Sequence, residues 1–124
     1  MAKRIVVSLK DQQLVAYEGT KKAFTFDCMT GDADHPTDKG VFYIIWKSKN
    51  HVSKAYGVKM HFALFFTTDG KAIHQYHAPG FHVTRSLKKN ASDWFGSHGC
   101  VRLQEEDAKR IYKWAQVKTS VTVI

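Results

Sequence analysis

Ser97-His98-Gly99-Cys100-Val101-Arg102-Leu103 is the stretch on which the reading of this chain turns. It sets a cysteine directly after a glycine and two residues after a histidine. A thiol is a strong nucleophile only as its thiolate, so it needs a nearby base or a positive field. A glycine beside it lets backbone N–H groups approach a reacting carbonyl oxygen. Cys100 therefore reads as the centre of acyl-transfer chemistry. The N–H groups of Gly99 and Cys100 are the expected oxyanion hole, with Ser97 fixing the loop by local hydrogen bonds. Upstream, Lys71-Ala72-Ile73-His74-Gln75 reads as a short strand that delivers a second histidine.

The flanks add weight. Ser97 to Leu103, with Ala72-Ile73-His74 before it, resembles the catalytic domain of the L,D-transpeptidases, the YkuD-type family of bacterial cell-wall enzymes. Met60-His61-Phe62-Ala63-Leu64-Phe65-Phe66 resembles the strand that pairs with the histidine strand. Met29-Thr30-Gly31, Pro36-Thr37 and Gly40 resemble a Ser-Thr-Gly and Thr-Pro-x-Gly segment. Ile5 to Tyr17 is similar to the family's opening hairpin, and Asp107 to Ile124 to its closing helix and strand. The resemblance thus covers nearly the whole chain.

It implies a mainly β fold, a twisted β-sandwich or partial barrel, with one α-helix in the C-terminal half. It implies Cys100 as nucleophile and His74 as base, with His98 shaping the site. His74 lies 26 residues before Cys100, a longer spacing than the family usually has. His77 and His82 are the alternatives as base, and with His74 chosen the extra length becomes an insertion between Gln75 and Ser97. Arg102 either holds a substrate carboxylate by a bidentate contact or braces the loop. The implied reaction is a transpeptidation. Cys100 attacks a peptidoglycan tetrapeptide stem, D-alanine leaves, and an amine resolves the thioester to a 3→3 cross-link. The alternatives are an L,D-carboxypeptidase, with water as acceptor, and a non-catalytic cell-wall-binding module. No metal or organic cofactor is implied.

Composition sets the bounds. The 124 residues suit one domain over 1–124 with a single core. No apolar run reaches the ~18 residues of a membrane span. The N-terminus has no apolar leader-like region and turns at once into a strand pattern. The resemblance points to the cell envelope, periplasm or cell wall, while the sequence alone fits the cytoplasm equally. Nineteen Lys and Arg against eleven Asp and Glu give a net charge of +8, which favours an anionic partner such as a cell-wall polymer. The basic residues are scattered in pairs and no nucleic-acid motif appears. No Cys-x-x-Cys or His-Glu-x-x-His spacing supports a metal site. Cys28 shares one face of a strand with Phe24 and Phe26 and reads as a buried structural thiol.

Alternation predicts strands around Ile5 to Leu9, Gln13 to Glu18, Lys22 to Thr30 and Val41 to Trp46. Gly31 to Gly40 and Ser48 to Gly57 read as loops. Phe62 to Thr67 and Lys71 to Gln75 flank Asp69-Gly70, a strong hairpin signal. Ala108, Ile111, Tyr112 and Ala115 mark a helix with acids in its first turn, and Thr119 to Ile124 a last strand. His77 to Gly96 is long, basic and irregular, with Trp94-Phe95 as a candidate substrate wall and Arg85, Lys88 and Lys89 as candidate contacts to an anionic stem.

Overall fold

The computed structural model describes residues 2–31, 37–52, 59–75 and 100–124. Nine strands and one helix follow in the order β1 (Lys3–Ser8), β2 (Gln13–Glu18), β3 (Lys21–Asp27), β4 (Gly40–Tyr43), β5 (Trp46–Val52), β6 (Lys59–Phe65), β7 (Ala72–Gln75), β8 (Val101–Leu103), α1 (Glu105–Trp114) and β9 (Ser120–Val123). The strands form a five-stranded sheet, ordered β3-β2-β1-β9-β4, and a four-stranded sheet, ordered β5-β6-β7-β8. The fold is mainly β, and the described residues form a two-sheet sandwich with one helix, as the sequence leads one to expect.

Period-two alternation builds the first sheet. Ile5 and Val7 of β1, Leu14 and Ala16 of β2 and Val121 and Val123 of β9 are buried in one core cluster. From the second sheet, Leu64, Ile73, Val101 and Leu103 join the same cluster, and Ala108, Ile111 and Ala115 close it from the helix. Phe26 and Cys28 lie in this core, with Phe24 packed against it. The β1–β2 turn places Gln12 in the left-handed region, at φ 52°, where a non-glycine residue is disfavoured. Its side chain offsets that cost. The Gln12 amide N donates to Leu9 O at 2.9 Å and to Thr30 Oγ1 at 2.6 Å, and its Oε1 accepts the Thr30 N–H at 3.1 Å.

Three sequence expectations are corrected. Val41 to Trp46 is not one strand, because the chain crosses between the sheets there. Ile44 donates its N–H to Thr119 O in the first layer, while Ile45 donates to Phe65 O in the second. The Ile44 side chain fills the core between them. Ser48 to Val52 is strand rather than loop, since β5 runs to Val52 in antiparallel pairing with β6, interrupted only between Ser48 and Asn50, opposite Phe62 at φ 54°. Its polar residues hide that pairing from any periodicity argument. The expected third strand also ends earlier, at Asp27. Met29 then forms an isolated antiparallel bridge with Arg102, which ties the end of the first layer to β8.

Helix α1 ends on two lysines. Lys47 Nζ donates to Tyr112 O at 2.6 Å and to Ala115 O at 2.9 Å, and lies 4.4 Å from the Tyr112 ring centre. Lys3 Nζ donates to Trp114 O at 2.8 Å. These are carbonyls of the last turn, which have no partner within the helix, and a cation there also meets the negative end of the dipole. Burial, and then Lys3, hold the Lys47 ammonium below its usual pKa. Lys47→Met keeps the stem and removes two charged donors. It is expected to lower stability by about 2 kcal/mol in urea unfolding, and Lys3→Met by less.

Candidate active site

The β6–β7 turn fixes where the site begins. Thr67 Oγ1 bonds the Asp69 carboxylate and accepts the Lys71 N–H at 2.9 Å. Gly70, at φ 94°, takes the left-handed position that glycine fills without strain. The Lys71 ammonium reaches Asp38 at 2.9 Å and Asp69 at 3.7 Å, pinning the turn to the segment before β4. From this turn β7 runs between β6 and β8.

Register then assembles the chemistry. β7 and β8 are parallel, with Ile73 opposite Val101 and His74 opposite Arg102. One step back, Ala72 faces Cys100, and the Ala72 N–H donates to Cys100 Sγ at 3.4 Å. Ala72 and His74 are two apart on β7, and Cys100, the residue just before β8, is two before Arg102. All four side chains therefore share one face of the second sheet. The structure brings Cys100, His74 and Arg102 together from two separate motifs.

His74 Nδ1 lies 2.7 Å from Gln75 O. A carbonyl oxygen only accepts, so Nδ1 carries the proton and Nε2 keeps its lone pair. That is the tautomer a general base needs. Both groups are deeply buried, Cys100 at 6% and His74 at 3% exposure. Burial pushes the His74 pKa down to about 4, against the opposing hydrogen bond to Gln75 and with help from the Arg102 charge. Burial pushes the Cys100 thiol up to about 11, while the Ala72 N–H and then the Arg102 charge favour its thiolate. Burial accordingly favours the neutral form of each group, the thiol of Cys100 and the uncharged imidazole of His74.

Arg102 is itself buried, at 3% exposure, and exchanges both backbone hydrogen bonds with Met29, at 2.8 and 2.9 Å. This position suits a brace that also supplies positive field at the thiol, rather than an exposed clamp. Ser97, His98, Gly99, His77 and His82 lie outside the described residues, as do Trp94, Phe95, Arg85, Lys88 and Lys89. Among the described residues no group of three or more His, Cys, Asp or Glu is arranged to hold a metal ion.

Sequence reasoning missed two features of this face. One is the Ala72 N–H, a backbone donor that the hairpin signal at Asp69-Gly70 places but does not announce. The other is an aromatic cluster of Trp46, His51 and Phe65, adjacent only through the register of β5 on β6.

Comparison with known proteins identifies the frame. The family model of the L,D-transpeptidase catalytic domain, YkuD, matches residues 2–123, and the chain belongs to that family. Among solved structures, the L,D-transpeptidase from Stackebrandtia nassauensis is 29% identical with a TM-score of 0.84, covering 100% of this chain and 56% of that one. The Enterococcus faecium L,D-transpeptidase is 22% identical with a TM-score of 0.82, covering 100% and 50%. Mycobacterium tuberculosis L,D-transpeptidase 1 is 19% identical with a TM-score of 0.76, covering 99% and 61%. The last two likenesses speak to the fold alone. This chain spans half to three fifths of the length of these proteins. A search of curated proteins returned no match.

Proposed function

We propose that this domain is a cysteine-dependent L,D-transpeptidase acting on peptidoglycan stem peptides. The observation that carries the reading is the pairing of β7 with β8, which sets Cys100 and a correctly protonated His74 on one sheet face. Family membership supplies the reaction class.

In the proposed reaction the Cys100 proton passes to His74 Nε2 as Sγ attacks the carbonyl of the stem's third residue. The bond to the terminal D-alanine breaks. Its nitrogen takes the proton back from the imidazolium, and a thioester remains. An acceptor amine, commonly the side-chain amine of another stem's third residue, attacks that thioester. It gives a proton to His74, the carbon–sulfur bond breaks, and His74 passes that proton to Sγ so that Cys100 is released as the thiol. Buried charges are costly, so proton transfer and bond formation are coupled rather than preceded by a free thiolate. The Ala72 N–H and the Arg102 charge lower the cost of negative charge on sulfur. Oxyanion stabilisation by the N–H groups of Gly99 and Cys100, with Ser97 and His98 shaping the loop, belongs to the same proposal, and Arg102 acts in it as a brace and a field. The substrate sits in the cell envelope, which is where the domain is proposed to work. No helix among the described residues is long and apolar enough to cross a membrane.

The test is intact-protein mass spectrometry after incubation with a muropeptide tetrapeptide, followed by addition of an acceptor amine. The expected result is a covalent adduct on Cys100 with release of D-alanine, then a cross-linked product. An adduct on any other residue, or no adduct from either the tetrapeptide or a carbapenem, would overturn the reading. A product consisting only of tripeptide would instead make the domain an L,D-carboxypeptidase.

A further inference from the structure

The Ala72 N–H that meets the Cys100 sulfur is held by the residue before it. Ala72 opens β7 and Cys100 stands just before β8. Donor and sulfur thus lie at the open end of the β7–β8 pair, where a ladder frays most easily. Sulfur is a weak acceptor, and a 3.4 Å contact to it does little to fix an amide. The Lys71–Ala72 peptide unit is fixed from its other side. Lys71 O accepts the Phe66 N–H at 3.0 Å. A peptide unit is planar, so that bond also sets the direction of the Ala72 N–H. The Lys71 N–H donates to Thr67 Oγ1 at 2.9 Å. The Lys71 ammonium bonds Asp38 at 2.9 Å and pairs with Asp69 at 3.7 Å, and Asp69 is bonded in turn to Thr67. One residue ties the start of β7 to the end of β6, to the turn and to the segment before β4.

These charges exceed what the turn alone requires. Asp69-Gly70 closes the hairpin by itself, and exposed ion pairs add little stability. Yet the Lys71 side chain, 18% exposed, is shared between carboxylates that are 65% and 66% exposed. Its hydrogen bond to Asp38, more than any other influence, holds the ammonium above its usual pKa. The sulfur gains from a fixed donor as its charge grows. A charged acceptor takes a hydrogen bond about twice as strong as a neutral one. A held N–H therefore favours developing thiolate over both the thiol and the thioester. It acts as the sulfur attacks and again as the sulfur leaves.

We propose that Lys71, clasped by Asp38 and Asp69, is a positioning residue that keeps the Ala72 N–H on the Cys100 sulfur during acyl transfer. It acts through Ala72 and touches no substrate. The reaction it serves rests on the transpeptidase reading above, whereas its hold on the sulfur does not.

Positioning and plain charge predict opposite signs. After burial, which raises the Cys100 pKa most, and the Ala72 N–H, which lowers it, Arg102 and Lys71 favour the thiolate and Asp69 opposes it. His74 beside them is neutral. If charge alone mattered, removing the two carboxylates would leave the ammonium unopposed and lower the thiol pKa. If Lys71 positions the amide, removing them loosens the clasp and raises it. The experiment follows alkylation of Cys100 by iodoacetamide against pH, read on the Cys100 peptide by mass spectrometry, beside acylation by a tetrapeptide. Lys71→Met and the double variant Asp38→Asn with Asp69→Asn are each expected to raise the apparent pKa by about half a unit. Each should also slow acylation about threefold, the scale of an exposed ion pair. Lys71→Arg should restore most of the wild-type behaviour. An apparent pKa that falls or stays unchanged in the double variant overturns the proposal. Urea unfolding checks that each variant folds, and if the double variant does not, Asp38→Asn alone is read by the same sign. If the tetrapeptide leaves wild-type Cys100 unmodified, the transpeptidase reading falls by itself, and the alkylation profile still decides the clasp.

Discussion

Cys100→Ala is expected to reduce acyl transfer by at least about 10⁴-fold, the scale on which removing a covalent nucleophile acts. The folded protein should survive. The lost atom is one sulfur in a cluster of Met60, Ala63, Phe65 and Ala72, and removing so small a buried group costs about 1 kcal/mol. Cys28→Ala is the matched comparison. Cys28 is fully buried in the main core, so this change should cost similar stability and leave acylation within about twofold of wild type. Turnover with a tetrapeptide donor, measured beside urea unfolding, separates the two. Equal loss of activity in both folded variants would point to a role for the two thiols together and sink the assignment of Cys100 alone.

How much of this was legible beforehand depends on the range of the interaction. The Ala72-Ile73-His74 strand and the Asp69-Gly70 hairpin are local patterns, and each lies in the structure where the sequence places it; of the Cys100 motif, Ser97 to Gly99 lie outside the described residues. The helix was legible because Ala108 and Ile111 face the core while Glu105, Glu106 and Asp107 gather in its first turn. What the sequence hid is long-range. Lys47-Ser48-Lys49-Asn50-His51 carries no apolar alternation, yet it is strand because β6 pairs with it on both sides of Lys49. The crossing at Ile44 and Ile45 is set by which sheet each backbone N–H reaches, and both residues look alike in a β-branched run. Likewise, the electrical state of the site follows from burial. Residue types alone do not say whether His74 and Cys100 rest charged or neutral, and it is their depth in the protein that favours the neutral forms.

That neutral pair gives the second large expectation, which joins stability to catalysis through His74. Its folded pKa is about 4, against an ordinary value of 6.5. Between those values the unfolded chain binds a proton that the folded chain refuses, so stability falls as the pH drops. The full effect is about 3 kcal/mol, present above pH 6.5 and lost by about pH 4. Cys100 sets the opposite limit. Its folded pKa is about 11 against 9.0, so the unfolded chain gives up a proton first and stability falls from pH 9 upward. His74→Gln removes the acid-side titration while keeping a polar side chain. In urea unfolding from pH 7 to pH 4, the wild type should lose stability more steeply than the variant. Parallel curves would mean that His74 is not held neutral by burial. The same variant should slow Cys100 acylation at pH 7 by roughly 10²–10⁴-fold, the range of a positioned general base. Alkylation of wild-type Cys100 by iodoacetamide should lack a limb near neutral pH and rise only as the thiol ionises toward pH 11. If His77→Ala or His82→Ala slows acylation while His74→Gln does not, the base is on the segment before Cys100 and the strand pairing of His74 with Arg102 serves packing alone.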